Sequence, residues 1–77
     1  MKTGLLWYDD DPKHSLAQKI ARAAARYHQK YGEVPGICYV HPTALEENGE
    51  MSKVGPVSVA ARPSVLPHHF WIGVQDG

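Results

Sequence analysis

Asp11-Pro-Lys-His-Ser-Leu-Ala-Gln-Lys-Ile-Ala-Arg-Ala-Ala-Ala-Arg-Tyr-His-Gln-Lys-Tyr-Gly32 is the stretch whose reading decides the fold. From Ser15 to Lys30 it is rich in Ala, Gln, Lys and Arg, which lose little side-chain freedom on entering a helix. Asp10 or Asp11 is placed to accept from the first free amides, and Pro12 suits the first helical position, where its missing donor costs nothing. Gly32 offers a left-handed cap and Pro35 blocks continuation. At about 100° per residue, Leu16, Ile20, Ala23, Tyr27 and Tyr31 fall on one stripe, with Ala24 beside it. A lone helix of about 20 residues is marginal in water, so the stripe demands a partner surface.

The flanks supply that surface. Thr3 to Tyr8 is short and apolar; Leu5 to Tyr8 reads as a strand buried on both faces, because it lacks clean alternation. Ile37 to Val40 is a second strand, and strand–helix–strand is the pattern of a crossover between parallel neighbours. Thr43 to Glu47 can make one helical turn, opened by Thr43 or Pro42. Asn48-Gly49-Glu50 is a turn signal, and Glu50 to Lys53 is expected to be mobile. Val57 and Val59 alternate with Ser58 and Ala60, which starts a third strand near Val57, with Gly55-Pro56 as its irregular start or an edge. Arg62 to Pro67 is a connection stiffened by two prolines, and His68 to Val74 reads as a fourth strand. The expected fold is α+β: a small β-α-β-β-β domain over residues 1–77, with one principal helix on one face of a three- to four-stranded mixed sheet.

Composition narrows the partners. In 77 residues, eight Lys and Arg balance eight Asp and Glu, so overall charge does not favour a polyanion. The charge is segregated, however. The helix carries Lys19, Arg22, Arg26 and Lys30 on one flank and no acid between Pro12 and Tyr31. Such a stripe meets phosphate or an acidic protein; the same cations also suit a solvated face and the C-terminal end of the helix dipole. One cysteine excludes an internal disulfide framework. With no secretory or membrane-spanning apolar run in the sequence, a cytoplasmic setting without membrane attachment is expected.

Three constellations carry candidate chemistry. Asp9, Asp10 and Asp11 follow the first strand beside a helix start, where carboxylates hold magnesium in several phosphoryl-transfer folds. The plainer account has one Asp capping the helix and the others solvated. Cys38 and His41 form a Cys-x₂-His pair that His68 and His69 could complete as a zinc set. Residues three apart on a strand point to opposite faces, which argues against four ligands converging. Cys38 as a nucleophile is rejected, since a thiol between Ile37 and Tyr39 in a core strand is held protonated. The aromatic set Trp7, Tyr8, Tyr39, Phe70 and Trp71 could stack on bases, but with little Lys or Arg among the strands a core or dimer interface is the better account.

Leu6-Trp-Tyr-Asp-Asp-Asp-Pro12, Cys38-Tyr-Val-His-Pro42 and Leu66-Pro-His-His-Phe-Trp-Ile-Gly73 together resemble short bacterial proteins with no established activity. That resemblance implies a bacterial setting and no catalytic or binding residue. Leu6 to Asp10 is also similar to a strand end in small CRISPR-associated endoribonuclease-like proteins, whose fold needs a second helix after Val54.

The leading expectation is a non-enzymatic interaction module whose basic helix face meets nucleic acid or an acidic protein. One helix covers one sheet face only, so a homodimer is expected through the face or edge containing Phe70, Trp71 or Ile72. The alternative is a small metal-binding domain or metal-dependent enzyme using Asp9 to Asp11 or the Cys38, His41, His68 and His69 set. No resident cofactor is expected; zinc and magnesium are the metals these ligands would suit.

Overall fold

A computed structural model describes residues 3–48 and 53–74. In chain order they form β1 (Thr3–Tyr8), α1 (Leu16–Tyr31), β2 (Ile37–Val40), α2 (Pro42–Asn48), β3 (Lys53–Val54), β4 (Val57–Ala61) and β5 (His69–Val74). The class is α+β, with one main helix on a mixed sheet. The sheet has five strands in the order β1-β5-β2-β4-β3.

The crossover differs from the expected one in an informative way. β1 and β2 each pair antiparallel with β5 and are therefore parallel to one another, but β5 lies between them. Among the described residues the only parallel neighbours are β2 and β4. The helix thus spans a gap that the last strand fills. β1 is consequently an edge, and it is not buried on both faces: Leu6 is 61% and Tyr8 56% exposed. The extra strand, β3, pairs with β4 through Val54-Gly55-Pro56-Val57. Gly55 has φ +57°, and proline next to it cannot take a positive φ, so the turn is type II′, with glycine first. Of the segment expected to be mobile, only Lys53 lies within the described residues, and it is in β3.

Helix α1 begins later than the aspartates and proline suggest. Ser15 is the N-cap: its Oγ accepts the Gln18 amide at 3.2 Å, and the Ser15 amide donates to Gln18 Oε1 at 2.9 Å. This reciprocal capping box satisfies two orphan donors together. Asp11 has other duties, since its carboxylate accepts the Lys13 amide at 2.9 Å. At the far end Gly32 adopts φ +73° and its amide reaches the His28 carbonyl at 2.8 Å.

Leu16, Ile20, Ala23 and Tyr27 are buried against Cys38, Val40, Val57, Val59, Phe70 and Ile72. Tyr31 sits at the rim, 39% exposed, with its ring 4.7 Å from that of Tyr27. Helix α2 lays Ala44 and Leu45 against the same core. Both helices therefore lie on one side of the sheet. The strands alternate accordingly: Leu5, Trp7, Phe70 and Ile72 point to the core, while Leu6, Tyr8, His69, Trp71 and Tyr39 share the outer face.

Candidate functional site

The basic flank of α1 is the feature that the fold leaves most available. Arg22, Arg26 and Lys30 are exposed and Lys19 is half-buried. Among the described residues no carboxylate stands within ion-pair distance of any of the four; the one such pair joins His14 Nε2 to Asp11 Oδ2 at 3.5 Å. Lys30 Nζ lies 5.5 Å from the centre of the Tyr31 ring, a cation–π distance. All four cations thus have no ion-pair partner among the described residues.

The flank carries a shallow, open depression. Arg22, Ala25, Arg26 and Gln29 rim an open depression of about 430 Å³ whose floor includes Trp7 of β1. Ala25 is small enough to leave room between the two arginines, and Trp7 supplies an aromatic floor. The indole Nε1 is buried and has no hydrogen-bond partner among the described residues, a donor that costs free energy until an acceptor reaches it. Arg26, Gln29 and Lys30 line a second recess further along. Near the helix start, a cavity of about 260 Å³ is lined by His14, Lys19, Thr43, His68 and His69 among others, and by no carboxylate. The cationic band therefore runs the length of α1.

The proposed metal ligands are scattered by the fold. Among the described residues no three His, Cys, Asp or Glu side chains group so as to hold a metal ion. Cys38 is fully buried in the core, and burial pushes its thiol up to about 12, which keeps it protonated and a poor nucleophile near neutral pH. His41 caps α2: its Nδ1 accepts the Thr43 amide at 3.2 Å, with the Thr43 hydroxyl 2.8 Å away. His68 occupies φ +63° in the turn Leu66-Pro67-His68-His69, which the His69 amide closes on the Leu66 carbonyl at 3.1 Å. Proline second and a positive φ third make this a type II turn, with histidine where glycine is usual. His69 Nδ1 lies 2.9 Å from the Pro67 carbonyl; the carbonyl can only accept, so that nitrogen carries a proton.

The three aspartates build the β1–α1 connection. Asp9 Oδ1 accepts the Asp11 amide at 3.0 Å, and Asp10 Oδ2 accepts the Tyr8 hydroxyl at 2.9 Å. That hydrogen bond raises the Tyr8 phenol above its ordinary value. With Asp11 bonded to the Lys13 amide, all three have local partners. The aromatics divide between faces: Trp7 and Phe70 toward the core, Tyr8, Tyr39 and Trp71 outward. Sequence reading found the cations with Gln29 beside them, since steps of three and four share a helix face, but missed Trp7, which comes from another element.

Comparison with protein-family models, curated proteins and solved structures gives no match. No helix among the described residues is long and apolar enough to cross a membrane.

Proposed function

We propose that this chain is a non-enzymatic interaction module of bacterial setting that binds a polyanion, nucleic acid foremost, along the basic flank of α1. The observation that carries the reading is the set Lys19, Arg22, Arg26 and Lys30 without a neighbouring acid, recessed over Trp7 with its unpaired indole N–H. A phosphate backbone supplies what this surface lacks: spaced negative charge for the cations and acceptors for Gln29 and the arginines. The module works as a homodimer, because the exposed Leu6 and Tyr8 lie on an edge strand.

Binding of this kind is weak, largely indifferent to sequence and steeply salt-dependent, since counterion release drives it. The test is fluorescence polarisation against short single- and double-stranded DNA and RNA at two salt concentrations. Arg22→Gln with Arg26→Gln should reduce the slope of log K against log salt by about 0.9 for each lost phosphate contact on duplex. Stability should change by no more than about 0.5 kcal/mol per substitution, as for other exposed positions. Absence of binding at low salt removes nucleic acid and leaves an acidic protein surface. Unfolding of the double variant would show instead that the flank is packed.

A further inference from the structure

The two edges of the sheet are unequally protected. β3 is two residues long, carries Lys53 and turns at Gly55-Pro56, all of which discourage a further strand. β1 offers six residues, Thr-Gly-Leu-Leu-Trp-Tyr, with no charge, proline or bulge. Its hydrogen-bonding direction can be derived. The Asp9 amide donates to the His68 carbonyl at 3.0 Å, so position 9 faces β5. In an antiparallel ladder alternate residues face alternate neighbours; hence Thr3, Leu5 and Trp7 bond to β5. Gly4, Leu6 and Tyr8 turn their N–H and C=O groups away from the sheet.

We infer that β1 pairs antiparallel with β1 of a second copy of this chain, centred on Leu6 opposite its own symmetry mate. This rests on the homodimer proposed above and adds its surface and register. A two-fold axis normal to the sheet keeps each side chain on its own face, so opposed residues must share a face. Centring on Leu6 opposes Gly4 to Tyr8, and every outward-facing residue of the strand then meets another outward-facing residue. Each such pair exchanges both of its N–H···O=C bonds. On the outer face the two exposed Leu6 side chains meet, and each Tyr8 comes over the partner's Gly4, beside the Trp71 ring that already covers that glycine. The arrangement also bears on the basic flank. Arg22 and Arg26 overlie Trp7 on the edge strand, so the two copies turn their arginines toward each other across one seam on the helix side, forming one cationic groove.

The experiment combines sedimentation with amide hydrogen exchange on the full chain. The wild type should sediment as a dimer at micromolar concentration, with the Gly4, Leu6 and Tyr8 amides protected along with those of Leu5 and Trp7. Leu6→Pro removes an N–H that no strand of its own chain uses, so the variant should fold and sediment as a monomer. Leu6→Lys, which places a charge at the centre of the seam, should do the same and covers the case in which proline perturbs folding. A dimer that survives in the folded Leu6→Lys variant, with Leu6 and Tyr8 exchanging freely in the wild type, overturns the edge pairing while leaving the homodimer standing. A wild-type monomer up to millimolar concentration overturns both.

Discussion

The two faces of the sheet solve the same problem by different means. On the helix side, Ile20, Val40, Val57 and Ile72 have no exposed surface, because two helices cover the strands. On the other side no helix among the described residues covers anything, yet Ile37 and Tyr39 are only 6% and 8% exposed. There the cover comes from side chains lying flat: Trp71 spans Gly4 and stands 6.4 Å from Tyr39 between ring centroids, and Arg62 lies over Tyr39. A missing layer therefore does not leave a whole face wet. It leaves Leu6 and Tyr8, at the edge, where there is no neighbouring strand to supply a covering residue. Exposed apolar surface on this side is thus an edge property, and of the trio expected at a dimer surface Phe70 and Ile72 are buried in the core while Trp71 faces outward.

The largest effect should come from the helix-covered face. Ile72→Ala empties a fully buried site facing Leu5 and Cys38 across adjacent strands. The loss should be about 2–5 kcal/mol, the range for truncating a buried aliphatic side chain. Urea unfolding of this variant beside Leu6→Ala measures the contrast directly. Leu6→Ala should stay within about 0.5 kcal/mol when measured dilute enough to be monomeric. Equal costs for the two would mean that the faces are not different after all.

The outer cover can be tested next. A Cβ on Gly4 would collide with the Trp71 ring. Gly4→Ala must therefore displace the indole and uncover part of Tyr39, at a cost of about 1–3 kcal/mol, as for overpacking elsewhere. A blue-to-red shift in tryptophan emission, absent from the equivalent change Gly36→Ala where open space surrounds the site, would identify the displaced ring. If Gly4→Ala is neutral and spectrally silent, Trp71 is not a lid.

How much of this could be read beforehand follows from how local each cause is. The apolar stripe Leu16-Ile20-Ala23-Tyr27 and the strands Ile37–Val40 and Val57–Ala61 were legible, because periodicity and turn residues lie within a few positions of what they determine. The helix start was also legible, in Ser15-Leu-Ala-Gln18, but three aspartates and a proline just upstream gave a competing signal of the same kind. The position of β5 between β1 and β2 was not legible. It depends on which strand fills a gap left by a helix crossing, and no residue pattern in β5 records its neighbours. The cationic flank showed in the spacing of Lys19, Arg22, Arg26 and Lys30, whereas Trp7 beneath it comes from another element and required the fold. For the candidate metal set, the fold adds what spacing alone does not record: Cys38 sits mid-strand pointing inward, and His41 caps α2.

The smallest effect concerns Arg62, and it isolates how side chains substitute for a layer. Its guanidinium carbon lies 4.2 Å from the centre of the Tyr39 ring, and Nη2 donates to the Tyr39 hydroxyl at 3.3 Å. The backbone places it there, since the Arg62 amide continues the pairing of β4 with β2 by donating to the Val40 carbonyl at 2.8 Å. Stacking and hydrogen bonding separate in a double-mutant cycle between Arg62→Ala and Tyr39→Phe, compared with Arg62→Lys. Tyr39→Phe keeps the ring and removes only the hydroxyl, whose bond at 3.3 Å is long. Stacking should therefore dominate: Arg62→Ala should cost about 0.5–1 kcal/mol, and most of that should persist in the Tyr39→Phe background. Lysine keeps the charge but not the flat surface, so Arg62→Lys should recover only part of the loss. Molar salt should change these differences little, because the covering is by contact as well as by charge. If Arg62→Ala is neutral in both backgrounds, Tyr39 is held dry by Trp71 alone, and the outer face owes its cover to one side chain rather than two.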